Sequence, residues 1–307
     1  MAQITHVPVL LEEVIAGLQP QSGGKYIDGT VGSGGHAKGI LAASGPSGLL
    51  LGLDRDQDAV QEANRRLSSA GGRATLMHAS FVEMARCAQN LGWKIADGIL
   101  LDLGVSSQQL EQGERGFSFL RAGPLDMRFD QSSGLKAAEI VNRWPQNEIA
   151  EVLSDFGEES QSNKIARAVV QARPIDGTLE LARIVAEQKS EKKGSRHAAT
   201  KTFQALRMAV NSELDNLRVV LPTALDLLAP GGRLAVIAFH SLEDRMVKNI
   251  FRRESRDCLC APEQIVCACN HRANIREVMR RPIGPTADEL ALNPRSRSAR
   301  LRIVEKL

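Results

Sequence analysis

Hydrophobic and polar positions follow two different regimes along this chain. Up to Gly104, short apolar runs each end in or near a polar residue, usually an acid, and amphipathic stretches separate them. That is the pattern of parallel strands covered by helices on both faces. Strands are predicted at Tyr26–Ile27, Gly48–Asp54, Ala74–His78 and Ala96–Gly104. Helices are predicted over Pro8–Leu18, with Thr5 or His6 near its N-cap, from about His36 to Ala43, and from about Asp56 to Leu67. From about Val105 to Arg207 the alternation stops. Ala137–Arg143, Gln146–Phe156, Ser162–Ala172 and Leu179–Glu187 space their apolar residues at three and four, between linkers carrying Gly113, Gly116, Gly123-Pro124 and Arg173-Pro174. A long helix, about Lys201 to Ala229 and broken or bent near Pro222, leads into the strand Arg233–His240; Ser241 opens another helix, and Ala299–Glu305 reads as a closing strand. The expected fold class is α/β: a doubly wound, mostly parallel sheet interrupted by an all-helical insertion. The expected domains are residues 1–106, the insertion 107–210, and a second part of the sheet domain, 211–307.

The chain is organised around Tyr26-Ile27-Asp28-Gly29-Thr30-Val31-Gly32-Ser33-Gly34-Gly35-His36. A strand, an acid and a glycine-rich turn lead into a helix. Gly32, Gly34 and Gly35 can take positive φ and let a ligand approach the backbone, and the helix N-terminus then offers free N–H groups. The next strand ends in Asp54, about twenty residues on, where a doubly wound sheet places a carboxylate against a ribose. A nicotinamide dinucleotide and S-adenosylmethionine (SAM) both carry that ribose. Asp28 discriminates between them: a carboxylate before the turn repels a pyrophosphate and attracts the ammonium of a methionine. SAM is favoured. At the end of the third strand, Phe81 either flanks an adenine or is plain core, and Asp102 ends the fourth strand at the edge where ligands of such folds sit. His36 and His240 stand at strand ends and face the same cleft, or are hydrogen-bonded structural histidines.

Composition narrows the class. Hydrophobic residues at 43% and charged residues at 24% are ordinary for a globular protein of 307 residues. No apolar run reaches membrane-spanning length, the N-terminus lacks signal-peptide character, and the five cysteines then fit a reduced, cytoplasmic protein. Net charge is only +3 but uneven, with +7 between Arg245 and Arg302 and −4 elsewhere. Within that basic third, Asn293-Pro294-Arg295-Ser296-Arg297-Ser298-Ala299-Arg300 suits RNA, since arginine binds phosphates bidentately and stacks on bases; a solvated face is the alternative. Cys258-x-Cys260 and Cys267-x-Cys269 could bind zinc through four thiolates, with His271 as a spare ligand, although the usual pair spacing is two to four residues. A reduced cysteine-rich loop is the competing reading, and no metal ligand is assigned. No Gly-x-Ser-x-Gly elbow, His-Glu-x-x-His or Walker loop is present.

Eight motifs then occur in one order. They are His6–Val14, Asp28-Gly29-Thr30 through His36, Leu53-Asp54-Arg55-Asp56, Asp102 through Gln109, Arg115-Gly116-Phe117-Ser118-Phe119, Pro124-Leu125-Asp126-Met127-Arg128, Phe239 through Arg245, and Asn293 to Arg302. With them the sequence closely resembles, end to end, the bacterial small-subunit ribosomal RNA cytosine-N4 methyltransferases, the RsmH/MraW family. The resemblance implies a Rossmann-like, class I SAM-dependent methyltransferase sheet with a helical substrate-binding insertion. It implies methylation of a cytidine N4 in the decoding region of 16S ribosomal RNA, with RNA inside the assembled small subunit as the partner and a homodimer allowed. Carried over by residue, SAM contacts are Gly34, Gly35, His36, Asp54, Phe81, Asp102 and Gln109. Asp102 is expected to orient the amine, and Phe117, Asp126, Arg128, His240 and Arg245 to lie near the base; Arg295 and Arg297 serve the RNA. The alternative is a SAM- or nicotinamide-dinucleotide-binding protein acting on another substrate.

Overall fold

The computed structural model describes residues 8–189, 197–261, 263–264 and 266–307. The N-cap expected at Thr5 or His6 lies outside them. The chain divides into two units, Met1–Gly104 with Asp215–Leu307, and Val105–Leu214.

In the first unit the near-continuous apolar runs become strands because both faces of each are covered. β1 (Lys25–Asp28), β2 (Leu49–Asp54), β3 (Ala74–His78), β4 (Ala96–Asp102), β5 (Leu228–Ala238), β6 (Ile275–Glu277) and β7 (Arg300–Lys306) form one seven-stranded sheet in the order β3-β2-β1-β4-β5-β7-β6. β1 to β5 run parallel, and β7 is antiparallel to both β5 and β6. Alternate residues feed two cores: Ile27, Leu51, Ile99, Leu101 and Val236 on one face, Tyr26, Leu50, Leu100, Ala235 and Ile237 on the other. The first face packs on α4 (Met84–Asn90), α11 (Glu213–Leu227) and α12 (Ser241–Glu254); the second packs on α1 (Leu11–Leu18), α2 (Gly35–Ala43) and α3 (Gln57–Arg66).

Two helix boundaries differ from expectation. α1 starts at Leu11, not Pro8, because Leu10 takes a left-handed conformation (φ 56°) and its N–H donates to Glu289 Oε1 at 2.8 Å. Glu289 belongs to α13 (Ala287–Leu292), far along the chain. The long helix breaks at Ser212 (φ 51°) rather than at Pro222, so that α10 (Thr200–Asn211) and α11 are separate helices. α11 runs through Pro222, whose ring is exposed.

The second unit is helical. α6 (Ala137–Arg143), α7 (Gln146–Asp155), α8 (Ser162–Gln171), α9 (Thr178–Glu187) and α10 enclose a core that includes Ile140, Leu153, Ile165, Val185 and Leu206, and short α5 (Ser107–Glu111) opens the unit.

Candidate cofactor site at the carboxyl edge of the sheet

Parallel strands bring Asp28, Asp54 and Asp102 to one edge of the first unit, at the ends of β1, β2 and β4. The turn after β1 is braced by backbone bonds: Gly29 N–H to Leu100 O at 2.9 Å, Val31 N–H to Leu53 O at 2.8 Å, and Gly34 N–H to Val31 O at 2.8 Å. Gly32 and Gly34 have φ of 51° and 82°, and Gly34 caps α2 in the left-handed region where a side chain is strained. Gly35, expected to share that conformation, does not; it is needed for room, since a Cβ there would stand 2.5 Å from Pro8 Cγ.

Asp54 holds the turn. Its Oδ2 accepts from Gly32 N–H and its Oδ1 from Asp56 N–H, each at 2.8 Å. Burial pushes this carboxyl up to about 6 against those two donors, with the Asp56 charge adding to the rise. Each oxygen keeps a second lone pair for a ribose hydroxyl.

Asp28 is 1% exposed. Its Oδ1 accepts from Thr30 N–H at 3.1 Å, and its Oδ2 is a buried oxygen with no hydrogen-bond partner among the described residues. Burial pushes the carboxyl up to about 7, with the Asp54 charge adding to the rise. Asp102 shows the same deficit. Its N–H donates to Thr30 Oγ1 at 2.6 Å, Oδ2 lies 3.6 Å from His36 Nε2, and Oδ1 is buried with no hydrogen bond among the described residues. Burial first, then the charges of Asp28 and Glu243, hold its carboxyl well above the ordinary value. Three acids share one edge, and burial raises all three carboxyls. A buried oxygen without a donor is costly, and a cation-bearing ligand with amine and hydroxyl donors relieves both deficits. A pyrophosphate would worsen them. The glycine turn, Asp28, Asp54 and Asp102 therefore fit the ammonium, sulfonium and ribose of SAM and do not fit a dinucleotide.

The other expected residues fall in several places. His36 is buried on α2 beside Asp102. Phe81 follows β3, partly buried against the core, with its Cβ on the Gly29 side of the turn. His240 caps α12: its Nδ1 accepts from Glu243 N–H at 3.3 Å, and its Nε2 is 3.2 Å from Glu243 Oε1. Glu243 is itself buried and accepts from Phe239 N–H at 2.9 Å. Arg245, Arg295 and Arg297 are exposed on the first unit.

Gln109, Phe117, Asp126 and Arg128 belong to the second unit. Gln109 is buried in a capping box, its Oε1 accepting from Ser106 N–H at 3.0 Å while its own N–H donates to Ser106 Oγ at 3.1 Å. Phe117 is a core residue, stacked on Phe129 at 5.5 Å between centroids. Arg128 grips Asp126 with two parallel bonds, Nε to Oδ1 at 2.8 Å and Nη2 to Oδ2 at 2.9 Å. Burial raises the Asp126 carboxyl, but Arg128 and Lys136 outweigh it and hold it below its ordinary value. Asp126 and Arg128 are thus partners of each other within a loop they help to shape.

Thr30 and Glu243 are the residues that the sequence reading left without roles. A threonine two places after a strand-end acid, and a glutamate three places after a strand-end histidine, are the signals in the sequence.

The MraW methylase family model matches residues 3–307. A ribosomal RNA small subunit methyltransferase H of Thermomicrobium roseum is 51% identical over 99% of this chain and 94% of its own length. Proteins of the same name from Geobacter sp. (strain M21) and Heliobacterium mobile are 48% and 45% identical, covering 100% and 98% of this chain and 100% and 99% of theirs. With a full-length match and identities of this size, the chain belongs to the MraW methylase family.

Proposed function

We propose that this methylase transfers the methyl group of SAM to the N4 amine of a cytidine in the decoding region of small-subunit ribosomal RNA. The cofactor half rests on one observation: beside a glycine turn, Asp28 and Asp102 each leave a buried carboxylate oxygen without a donor among the described residues. The substrate half is supported by the relatives named as ribosomal RNA small subunit methyltransferases. Among the described residues no helix is long and apolar enough to cross a membrane, in keeping with an enzyme that meets its RNA in the cytoplasm.

When bound, SAM supplies a methyl group made strongly electrophilic by its sulfonium. Asp28 would pair with its ammonium and Asp54 with its ribose hydroxyls, and Gly34 and Gly35 would leave the backbone open to it. The amine of cytosine is a weak nucleophile, its lone pair delocalised into the ring, so the remaining task is alignment and removal of a proton. Asp102 accepts a hydrogen bond from one amine N–H and takes that single proton as the methyl bond forms, while the carbonyl of Leu103 or Gly104 accepts a hydrogen bond from the N–H that the product keeps. A carboxylate held high by burial is a better base than an exposed one, and Asp102 is so placed. His36 Nε2 stands 3.6 Å from Asp102 Oδ2, on one side of the carboxylate. The base must leave its stack to reach this edge, which suits an RNA loop or junction.

The test is methyl transfer from labelled SAM to unmodified small subunits and to their naked RNA, followed by nucleoside mass spectrometry. The expected product is N4-methylcytidine, formed with the assembled subunit. A chain that binds SAM yet methylates neither loses the substrate assignment.

A further inference from the structure

Four cysteines that the methyl-transfer chemistry does not use converge in one loop of the first unit, between α12 and β6. Cys258 Sγ lies 3.6 Å from Cys267 Sγ and 3.8 Å from Cys269 Sγ, and Cys267 Sγ is 3.6 Å from Cys269 Sγ. Cys260 Sγ completes the group, all four sulfurs lying within 4.8 Å of one another. None is in a disulfide. A metal held tetrahedrally by bonds of about 2.3 Å to sulfur spaces its ligands about 3.8 Å apart. The three measured edges sit at that spacing.

The surroundings match thiolates. Leu259 N–H points to Cys269 Sγ at 3.2 Å, Cys260 N–H to Cys258 Sγ at 3.4 Å, and Ala268 N–H to Cys260 Sγ at 3.4 Å. Backbone donors of this kind stabilise charge on sulfur and orient it toward a metal. Apolar packing gives no other reason for convergence: among the described residues from Ser255 to Asn274 none is buried. His271, a candidate spare ligand on sequence grounds, is engaged elsewhere, with Nδ1 2.8 Å from Arg256 O and Nε2 3.6 Å from Glu254 Oε2. The loop is tied at its base by Asn274 N–H to Glu254 O at 3.0 Å.

We propose that Cys258, Cys260, Cys267 and Cys269 bind one zinc ion as a closed tetrathiolate site that staples this loop. Soft thiolates in a tetrahedron select zinc or iron, and a site with no open position and no neighbouring electron carrier among the described residues suits the redox-inert ion. The staple fixes the exposed Arg252, Arg253, Arg256 and Arg272 on and around the loop. This assignment does not depend on the methylase chemistry, and its test reads metal rather than turnover.

The full chain, expressed with zinc and iron both supplied and passed through a chelator, is analysed for metals. About one zinc per chain is expected. Cobalt exchanged into the site should give the absorption bands of a tetrahedral tetrathiolate. The paired change Cys267→Ser with Cys269→Ser should abolish zinc and cobalt retention and make the loop the first site of limited proteolysis. Cys87→Ser, in the distant buried core, should leave metal content unchanged. Four freely reactive loop thiols without metal, two disulfides by mass spectrometry, or iron in place of zinc would each overturn the proposal.

Discussion

Thr30 Oγ1 accepts the Asp102 N–H at 2.6 Å, so a side chain in the glycine turn after β1 fixes the end of β4. The same residue donates its own N–H to Asp28 Oδ1. One threonine thus sets two of the three acids. Thr30→Val keeps the shape and removes the acceptor, stranding a part-buried N–H at a cost of about 1–3 kcal/mol. A lower Tm together with a raised KM for SAM is expected; a loss of Tm alone, with KM unchanged, would make Thr30 purely structural.

Asp28 and Asp54 bind protons more tightly folded than unfolded, with values near 7 and 6. Stability of the ligand-free protein should therefore be greatest in mild acid. It should fall as pH rises from the unfolded carboxylate value near ~4 through about 7. A cationic ligand reverses the trend, because it binds the ionised acids. Calorimetry at pH 5 and pH 8 should show a larger SAM-induced rise in Tm at pH 8. Asp28→Asn should stabilise the free protein at pH 8 by about 1–3 kcal/mol and weaken SAM binding at least about tenfold. If the SAM effect were the same at both pH values, Asp28 would not face the ligand's charge.

Asp102 has two candidate roles, amine acceptor and cofactor contact. Asp102→Asn keeps size and one hydrogen-bonding oxygen but cannot take a proton. A fall in kcat of about 100-fold or more, with SAM affinity within about tenfold of the parent, supports the acceptor role. Full kcat with weakened SAM binding would leave only the contact.

At Gly34 the expected cost is conformational. Its φ is 82°, and an added Cβ would stand 3.3 Å from Ala63 Cα. Gly34→Ala should cost about 1–2 kcal/mol through the left-handed backbone and shift α2 away from the turn, raising KM for SAM more than it lowers kcat. Equilibrium unfolding and steady-state kinetics on one sample separate the two effects.

Arg295 and Arg297 lie exposed on the last turn before β7. Replacing both with alanine should leave SAM affinity unchanged and weaken RNA binding. For single-stranded RNA the slope of log affinity against log salt should fall by about 1.4 if each neutralises one phosphate. An unchanged slope would return these arginines to the role of solubilising charge.

Much of the sheet was legible because β1, β2, β4 and β5 are buried on both faces, and that requirement writes itself as continuous apolar runs ending in polar residues. The glycine turn with its flanking acids was legible for the same reason. Boundaries set by distant partners were not. The start of α1 depends on Glu289, nearly the whole chain away, and no local pattern at Pro8 reports it. The break at Ser212 carries no helix-breaking residue type, whereas Pro222 advertises a break and α11 continues through it. β6 and α13 are too short for periodicity to register. Within the site, the acids could be read but not their deficits. That one oxygen of Asp28 and one of Asp102 find no donor among the described residues depends on what surrounds them in three dimensions.

The pairing of β4 with β5, Gly98 opposite Arg233, joins segments separated in sequence by the whole helical unit. Contacts this remote are slow to form, because the intervening chain must first lose its freedom. The helical unit has its own core and neighbouring helices, so it can collapse early and shorten the effective tether. The centre of the sheet then waits on the insertion. Pulse-labelled hydrogen exchange should find α7 and α8 protected before β4 and β5, and a destabilised insertion should delay the sheet without altering any residue that touches the ligand.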